Sequence, residues 1–168
     1  PRTLKKKYVL ITGGAGFIGS HLVSNLMLHE SNVLTLDNLR YGRLKNVEKW
    51  LENQNFTFTR GDLLNTEDLA RAVEGREIVF HLSANPEVRI STENPEVHYR
   101  QNIQATHNLL EAARKAGDLK ILVFTSSSTV YGEAAKIPTQ EDYAPLKPIS
   151  VYGASKLSCE ALIAAYAY

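Results

Sequence analysis

The 168-residue chain is predicted to form an α/β fold, in which helices cover both faces of a doubly wound parallel sheet. Two observations predict this class. Short apolar, β-rich runs alternate along the chain with longer stretches in which apolar residues recur at helical spacing. In addition, the first apolar run leads into a glycine-rich turn and then directly into a helical pattern. A strand, a glycine turn and a helix in this order are typical of the Rossmann type of nucleotide-binding sheet.

Five apolar runs predict the strands of this sheet. They lie at 8–11, 33–36, 56–59, 77–82 and 120–125. The fifth run is nearly all apolar, which is typical of a strand that helices cover on both faces. We therefore expect this strand to be buried on both sides.

Helical patterns lie between the strands and after the fifth. They cover 20–28, 66–73, 95–116 and 152–168. Thr66 is the expected cap of the second helix, and Pro95 and Gly117 mark the two ends of the third. Residues 39–52 are expected to form a loop with one short helix. Residues 132–149 contain three prolines and predict an extended loop, which is often functional in a compact domain.

Composition excludes several classes of function. The net charge of +1 gives no electrostatic footprint for nucleic acid, and no apolar run reaches membrane-spanning length. Cys159, the single cysteine, allows no intrachain disulfide and suits a reducing cytoplasm, where we expect it to be a packed thiol. The five histidines lack zinc-type spacing, so no metal site is expected.

The glycine turn after the first strand has the features of a pyrophosphate site. Gly13 permits a tight turn, Gly16 lets the backbone approach a phosphate, and Gly19 lets the helix pack against the strand. The helix then directs its free N–H groups, beginning at Phe17 and Ile18, and its positive dipole end towards the phosphates.

The second strand ends in Asp37, 18 residues after Gly19. A carboxylate there accepts hydrogen bonds from the adenosine ribose hydroxyls and repels a 2′-phosphate, which favours NAD over NADP. Two alternatives stay open. Asp37 forms an Asx turn before Asn38, or Arg40 and Arg43 bind a 2′-phosphate.

Candidate catalytic groups follow the fifth strand. A hydroxyl-rich turn at 125–132 comes first, and Tyr152 and Lys156 come after the proline loop. A tyrosine and a lysine four residues apart lie on one face of a helix, and a nearby ammonium stabilises a phenolate. Such a tyrosine exchanges a proton with a substrate hydroxyl as hydride moves to or from nicotinamide. A Tyr-x-x-x-Lys pair alone is a common coincidence. Together with the glycine turn and Asp37, it predicts a nicotinamide-dependent enzyme.

Five stretches together carry a resemblance to a known family. They are residues 12–22, 37–39, 61–63, 126–132 and 152–156. The chain resembles the extended short-chain dehydrogenases/reductases, in particular the nucleotide-sugar epimerases of the UDP-glucose 4-epimerase type, over essentially its whole length. The resemblance implies NAD as cofactor and a UDP-hexose as substrate. It also implies epimerisation at C4 through a 4-keto sugar.

The resemblance implies roles for individual residues. Tyr152 is the acid/base, Lys156 binds the nicotinamide ribose, Ser127 hydrogen-bonds the reacting sugar oxygen, and Asn102 helps to order the site. The residues expected around the cofactor are Gly13, Gly16, Phe17, Ile18, Gly19, Asp37, Asn38, Asp62, Leu63, Leu82, Ser83, Ala84, Asn102, Tyr152 and Lys156.

Two departures from the family pattern narrow the activity. Ser128 and Thr129 stand where the 4,6-dehydratases of the family have an Asp-Glu pair and the decarboxylases have a glutamate, which argues against both activities. Pro86 stands where the best-known epimerases have a lysine that contacts the cofactor.

Family members are longer than this chain and bind the nucleotide-sugar through a carboxyl-terminal region. We therefore expect residues 1–168 to be the NAD-binding domain of a longer enzyme, ending before a sixth strand. The alternative, from another functional class, is a dinucleotide-binding module without catalysis. An open edge at the fifth strand and the helix at 152–168 predict self-association, as a homodimer, by strand pairing or by a swapped helix.

Overall fold

The computed structural model describes residues 4–168, in which five parallel strands form one sheet of order β3-β2-β1-β4-β5. The strands are β1 Tyr8–Thr12, β2 Asn32–Asp37, β3 Phe56–Arg60, β4 Ile78–His81 and β5 Ile121–Phe124. β1 lies at the centre, where Val9 pairs with Val33 on one side and Ile78 on the other. The order is that of the doubly wound α/β class, which confirms the predicted fold class.

The described chain divides into two compact units. The first contains residues 4–83 and Glu111–Thr125, and therefore the whole sheet. The second contains Ala84–Leu110 and Ser126–Tyr168. The helices, in chain order, are α1 Phe17–Leu28, α2 Thr66–Val73, α3 Ile90–Glu93, α4 Glu96–His98, α5 Ala105–Ala116 and α6 Val151–Tyr166.

The core of the first unit forms where α1 packs on the central strands. Its buried members are Val9, Ile11, Val23, Leu26, Met27, Val33, Val47, Phe56 and Ile78. Burying an aliphatic side chain of this size contributes about 1.5–3 kcal/mol. Val47 belongs to this core although it lies in the loop after β2, where two 3₁₀ turns, Leu44–Asn46 and Glu48–Trp50, replace the expected short helix. The loop is therefore anchored to the sheet.

The cap of α2 differs from the prediction by one residue. Asn65, not Thr66, is the capping residue, because its Oδ1 accepts hydrogen bonds from the N–H groups of Glu67 at 2.9 Å and Asp68 at 3.3 Å. Thr66 is the first residue of the helix. Both residue types cap helices well, and the backbone conformation selects between them.

The prediction that β5 is buried on both faces is wrong in this structure. Ile121 is 47% exposed and Val123 is 43% exposed. β5 is the last strand in the order of the described sheet and pairs with β4 alone. An apolar composition therefore does not decide burial at a sheet edge.

The helix predicted at 95–116 is helical over nearly this whole range but is not uniform. α4 leads into a wide turn at Tyr99–Gln104 with π-helical hydrogen bonding, and α5 follows directly. Gly117 ends the helix with φ of +77°, as its position in the sequence predicts. Wide turns of this kind are frequent at functional sites.

Candidate functional site

The residues predicted for the site fall into two groups, one in each compact unit. The first unit holds Gly13, Gly16, Phe17, Ile18, Gly19, Asp37, Asn38, Asp62, Leu63, Leu82 and Ser83. The second unit holds Ala84, Asn102, Ser127, Tyr152 and Lys156. The first group contains the expected phosphate and adenosine ligands, and the second contains the expected acid/base pair.

The glycine turn after β1 is a tight loop that is closed by backbone hydrogen bonds. Gly13 has a φ of +75°, which favours glycine, and its N–H donates to the Leu36 carbonyl at 2.9 Å. The Gly16 N–H donates to the Gly13 carbonyl at 3.1 Å, and α1 begins at the next residue. No side chain caps α1 at Gly16. The N–H groups of its first turn, which have no acceptor within the helix, therefore mark an anion-binding end.

The packing of α1 on this turn leaves space at one glycine and none at another. A Cβ on Gly19 would lie 2.6 Å from the Gly14 Cα, so the helix and the turn are in direct contact there. A Cβ on Gly16 would meet one turn carbonyl oxygen, at 3.2 Å, and face open space otherwise. Phe17 and Ile18, beside this space, are 80% and 59% exposed. The turn fits the pyrophosphate of a dinucleotide.

Asp37 is buried at the carboxyl end of β2, where its carboxylate accepts hydrogen bonds from the backbone of two loops. Its Oδ2 accepts a hydrogen bond from the Ala15 N–H at 3.0 Å, and its Oδ1 accepts one from the Leu39 N–H at 2.8 Å. The second bond is the Asx turn that the sequence left open as an alternative, and it supports Leu39 at a φ of +61°. Each carboxylate oxygen keeps a further lone pair. The Asx turn and a hydrogen bond to ribose are therefore compatible.

The two polar residues expected on the adenosine side contact each other. Asn38 Nδ2 donates to Asp62 Oδ2 at 3.0 Å, which connects the end of β2 to the loop after β3. Asp62 Oδ1 accepts from the Leu64 N–H at 2.9 Å, and Leu63 between them is buried. The structure thus brings Asn38, Asp62 and Leu63 together within the first unit.

Leu82 and Ser83 follow β4 beside the glycine turn. The Leu82 N–H donates to the Thr12 carbonyl at 3.1 Å, and the Ser83 N–H donates to Thr12 Oγ1 at 3.3 Å. A Cβ on Gly13 would lie 2.9 Å from the Ser83 nitrogen. Thr12 Oγ1 also lies 2.7 Å from His81 Nδ1. These contacts lock the carboxyl ends of β1 and β4 together under the turn.

Ser127 caps a short 3₁₀ turn, Ser128–Tyr131, in the second unit. Its Oγ accepts hydrogen bonds from the Thr129 N–H at 3.3 Å and from Thr129 Oγ1 at 2.9 Å. Both bonds use lone pairs of the oxygen, so the hydroxyl hydrogen of Ser127 can donate to a ligand. The segment ends at Gly132, whose φ is +64°. We call residues Ser126 to Gly132 the serine turn.

The serine turn packs directly on α6, the helix that carries Tyr152 and Lys156. Ser150 caps α6 through a hydrogen bond from the Gly153 N–H at 3.0 Å. A Cβ on Gly153 would lie 2.8 Å from the Thr129 carbonyl oxygen, so only glycine allows this contact. Tyr152 and Lys156 lie one helical turn apart on the same face.

Lys156 is 4% exposed, which is unusual for a lysine. Burial lowers the pKa of its ammonium, and the neighbouring Cys159 and Glu160 act in the opposite direction. Cys159 is buried and contacts Thr106 Oγ1 at 3.3 Å, which confirms the predicted packed thiol. Burial raises the pKa of this thiol, so it stays protonated around neutral pH.

Asn102 connects three segments of the second unit. Its Oδ1 accepts from the Asn85 N–H at 2.7 Å, and its Nδ2 donates to Ser155 Oγ at 2.9 Å. Ser155 Oγ in turn donates to the Tyr152 carbonyl at 2.7 Å. Because Asn102 lies in the wide turn between α4 and α5, the local helix geometry aims its amide at α6.

Two buried residues beside Tyr152 were not singled out from the sequence. His98 is buried, and its ring stands edge-on to Tyr152, with centroids 5.6 Å apart and planes at 69°. Burial lowers the pKa of His98, which favours the neutral ring. Ser155 makes the hydrogen bonds given above. A lone histidine in an apolar pattern gives no functional signal. The hydrogen bond between Ser155 and Asn102 joins residues that are 53 positions apart, which no local sequence pattern indicates.

Two further kinds of feature, a metal-ligand cluster and a membrane-spanning helix, are absent from the described residues. Within residues 4–168, no three histidine, cysteine, aspartate or glutamate side chains converge as metal ligands would. The same residues include no helix of the length and apolarity that crossing a membrane requires.

Comparisons with known proteins point to one family. A family profile described as GDP-mannose 4,6 dehydratase matches residues 10–168. An uncharacterised UDP-glucose epimerase of Bacillus subtilis is 41% identical over 165 residues, covering 94% of this chain and 51% of that protein. A crystal structure of a UDP-galactose 4-epimerase is 47% identical, with a TM-score of 0.85 over 95% of this chain and 51% of that one. The NAD complex of a Thermus thermophilus UDP-glucose 4-epimerase is 35% identical, with a TM-score of 0.83 over 95% of this chain and 50% of that one. The chain spans about half the length of these relatives.

Proposed function

The chain belongs to the GDP-mannose 4,6 dehydratase family of short-chain dehydrogenases/reductases, and from this membership we propose that it supplies the NAD-binding and acid/base residues of a nucleotide-sugar 4-epimerase. The substrate we propose is a UDP-hexose of the UDP-glucose and UDP-galactose type. The runner-up is a reductase or epimerase of the same family that acts on another nucleotide-linked sugar.

The observation that carries this proposal is the contact between the serine turn and α6. The Thr129 carbonyl lies against Gly153, next to Tyr152 in the chain. Ser127, which begins the 3₁₀ turn, has a hydroxyl hydrogen free to donate to a ligand, and Lys156 lies one helical turn beyond Tyr152. A hydrogen-bond donor, a phenol and an ammonium in one compact unit are the groups that proton exchange with a sugar hydroxyl requires.

The residues of the serine turn also favour epimerisation over dehydration. Elimination of water from a sugar needs an additional acid and base, which the dehydratases of the family supply as an Asp-Glu pair. Ser128 and Thr129 occupy those positions here, and neither side chain titrates near neutral pH. This chain therefore fits a reaction that needs one acid/base group at C4.

The glycine turn and Asp37 would hold NAD in the first unit. The N–H groups at the start of α1 suit the pyrophosphate, the free lone pairs of Asp37 suit the ribose hydroxyls, and Asn38 with Asp62 suits the adenine side. The negative charge of Asp37 disfavours a 2′-phosphate. These features support NAD as the preferred dinucleotide.

Each protein group then has one task in the reaction. Tyr152, as phenolate, takes the proton of the sugar 4-hydroxyl, and Lys156 stabilises that phenolate as an ammonium. Ser127 donates a hydrogen bond to the same sugar oxygen. NAD, when bound, supplies the acceptor and later the donor of the C4 hydride. Tyr152 would then return its proton to the sugar 4-oxygen, as the alcohol forms again with the opposite configuration.

Titration calorimetry tests this proposal against the second candidate, a dinucleotide-binding module without catalysis. In a protein of the relatives' full length, an epimerase site is expected to bind NAD and also UDP-galactose, and to convert UDP-galactose to UDP-glucose, whereas residues 1–168 alone are expected to bind NAD without turnover. A module is expected to bind NAD alone. Heat from UDP-galactose binding without any heat from NAD would contradict both.

Asp37→Asn tests the contribution of Asp37 to NAD binding by the same calorimetry. We expect NAD binding about tenfold to a hundredfold weaker, because a hydrogen bond to a charged acceptor contributes about 1.5–3 kcal/mol and 1.4 kcal/mol is tenfold. Discrimination against NADP should narrow at the same time. Asp142→Asn, an exposed residue of the proline loop, is the matched control. Equal NAD affinity in both variants would count against the assigned role of Asp37.

The exposed side chains of β5 support the self-association predicted from the sequence, and we propose that a second copy of the chain covers them. Ile121 and Val123 are apolar and exposed at the end of the described sheet, and such a strand is a template for pairing. Light scattering over a dilution series should show dimers that dissociate on dilution. Val123→Lys should shift the midpoint to higher concentration, and a strictly monomeric chain at every concentration would contradict the proposal.

A further inference from the structure

Glu160 is a half-buried carboxylate on the face of α6 that carries the candidate acid/base pair. It lies four residues after Lys156 and eight after Tyr152, so the three side chains follow one another at one-turn intervals. Its Oε1 accepts a hydrogen bond from Ser126 Oγ. Ser126 immediately precedes Ser127 in the serine turn. Glu160 therefore connects α6, the helix of the acid/base pair, to the serine turn, which carries the candidate sugar-binding hydroxyl.

The serine turn is fastened to α6 at two separate points. Near the start of the helix, the Thr129 carbonyl lies against Gly153. About two turns further along, Ser126 is bonded to Glu160. Two contacts separated along a helix axis fix the direction of a segment, whereas one contact allows it to pivot. Ser127 lies between the two contact points in the turn, so its position depends on both.

The charges around Lys156 assign a second task to the same carboxylate. Cys159 and Glu160 both favour the ammonium form of Lys156 against burial, which lowers its pKa. The thiol of Cys159 carries no charge around neutral pH because burial raises its pKa. His98, which faces Tyr152 from α4, is neutral because burial lowers its pKa. Of the two groups that favour the ammonium, Glu160 is the carboxylate, the kind of group that can serve as a counter-charge.

We propose that Glu160 is a positioning residue for the reaction: its carboxylate, held by Ser126, fixes the serine turn against α6 and serves as the counter-charge of Lys156. This inference rests on the proposed function, since it assigns Glu160 a task only through Ser127, Tyr152 and Lys156. Glu160 itself touches neither sugar nor cofactor in this scheme.

The two tasks are separable by substitution. Glu160→Gln keeps an oxygen that accepts from Ser126 but removes the charge. Ser126→Ala keeps the charge but removes the hydrogen bond. Glu141→Gln, an exposed glutamate in the proline loop, is the matched control for loss of one negative charge.

The primary measurement is the titration of Lys156, followed by NMR of the chain labelled at lysine Cε and assigned with Lys156→Arg. Glu160→Gln is expected to lower the pKa of Lys156 by about one, the lower end of the effect of an adjacent opposite charge. Ser126→Ala and Glu141→Gln are expected to leave it close to that of the unchanged protein. Ser126→Ala should instead move the backbone amide signals of Ser127 and Thr129.

The pH profile of conversion gives an independent readout in a protein that turns over UDP-galactose. Because Glu160→Gln lowers the pKa of Lys156, the ammonium is lost at a lower pH, and the alkaline limb of the kcat profile should move down by the same amount. KM for the sugar should change little. A purely structural role would lower activity evenly at every pH.

An unchanged pKa of Lys156 in a folded Glu160→Gln variant would overturn the counter-charge, and unmoved amides of the serine turn in Ser126→Ala would overturn the tether. If Glu160→Gln does not fold, Glu160→Asp replaces it. That variant keeps the charge and shortens the reach to Ser126, so it should retain the pKa of Lys156 and move the amides. The NMR measurements need neither NAD nor sugar, so their outcome is independent of whether the proposed function fails.

Discussion

Gly19→Ala is expected to weaken NAD binding at least tenfold and to destabilise the fold at the same time. The added methyl would lie 2.6 Å from the Gly14 Cα and collide with the Gly13 carbonyl, and both are backbone atoms that cannot rotate away. The helix and the turn must therefore separate, which moves the N–H groups of α1 relative to the phosphate space at Gly16. The loss of binding and the loss of stability have one cause.

Gly19→Ala has two opposing effects on the free energy of unfolding, and the larger of them decides whether the variant is more or less stable. Alanine is favoured over glycine inside a helix by about 1 kcal/mol, whereas overpacking against rigid neighbours costs about 1–3 kcal/mol and occasionally more. Contact with backbone on two sides puts Gly19 at the upper end of that range, so we expect a net loss of about 2 kcal/mol in the free energy of unfolding. Urea denaturation and calorimetry with NAD measure the two consequences.

Gly75→Ala is the matched control, because a Cβ there meets no atom within 4 Å. Its φ of +66° alone costs an alanine about 1–2 kcal/mol, so stability should fall while NAD affinity stays unchanged. If Gly19→Ala behaved in the same way, close packing of helix and turn would not be what shapes the phosphate space.

The strand order and the glycine turn were predictable because both depend on local patterns. Alternating strand and helix periods leave few parallel topologies, and the order β3-β2-β1-β4-β5 is that of the doubly wound class predicted from the sequence. The turn at Gly13 needs a positive φ that glycine supplies, so residue type and conformation coincide there. The resemblance to the extended short-chain dehydrogenases/reductases, read from five stretches, is confirmed by the family match over 10–168.

Burial at β5 was not predictable from composition. Ile121 and Val123 have the residue types of a buried strand, but their exposure depends on what lies beyond the sheet edge. Periodicity and composition describe a segment and not its neighbours. The prediction of burial therefore failed at β5, where an apolar composition occurs in a strand at the edge of the described sheet.

The polar contacts of the second unit could not be predicted from the sequence either. Asn102 was predicted for the site from the family resemblance, but its partners Asn85 and Ser155 are 17 and 53 residues away in the chain. No pattern in the sequence indicated the wide turn at Tyr99–Gln104 that aims its amide. Ser126 and Glu160 are likewise 34 residues apart. Side-chain hydrogen bonds at such separations become visible only in the fold.

Tyr152→Phe is expected to lower kcat for conversion of UDP-galactose about a hundredfold to ten-thousandfold, the usual contribution of a positioned acid/base group. Phenylalanine keeps the ring that stands edge-on to His98 at 5.6 Å, so the packing of α6 should survive. The backbone N–H of residue 152 still donates to Ser91 Oγ, at 3.2 Å. The substitution therefore removes the proton-exchanging hydroxyl and little else.

The measurement is made in a protein of the relatives' full length, with NAD affinity and thermal stability determined beside it. Tyr8→Phe is the matched control, because Tyr8 lies at the amino end of β1, away from the glycine turn, and keeps its ring over Arg76. Both variants should bind NAD as the unchanged protein does, and only Tyr152→Phe should lose turnover. Retention of more than about a tenth of kcat in Tyr152→Phe would place the proton transfer on another group, since a phenyl ring exchanges no proton. In that case the serine turn and Lys156 would still bind the sugar and the ribose, and the acid/base assignment alone would be wrong.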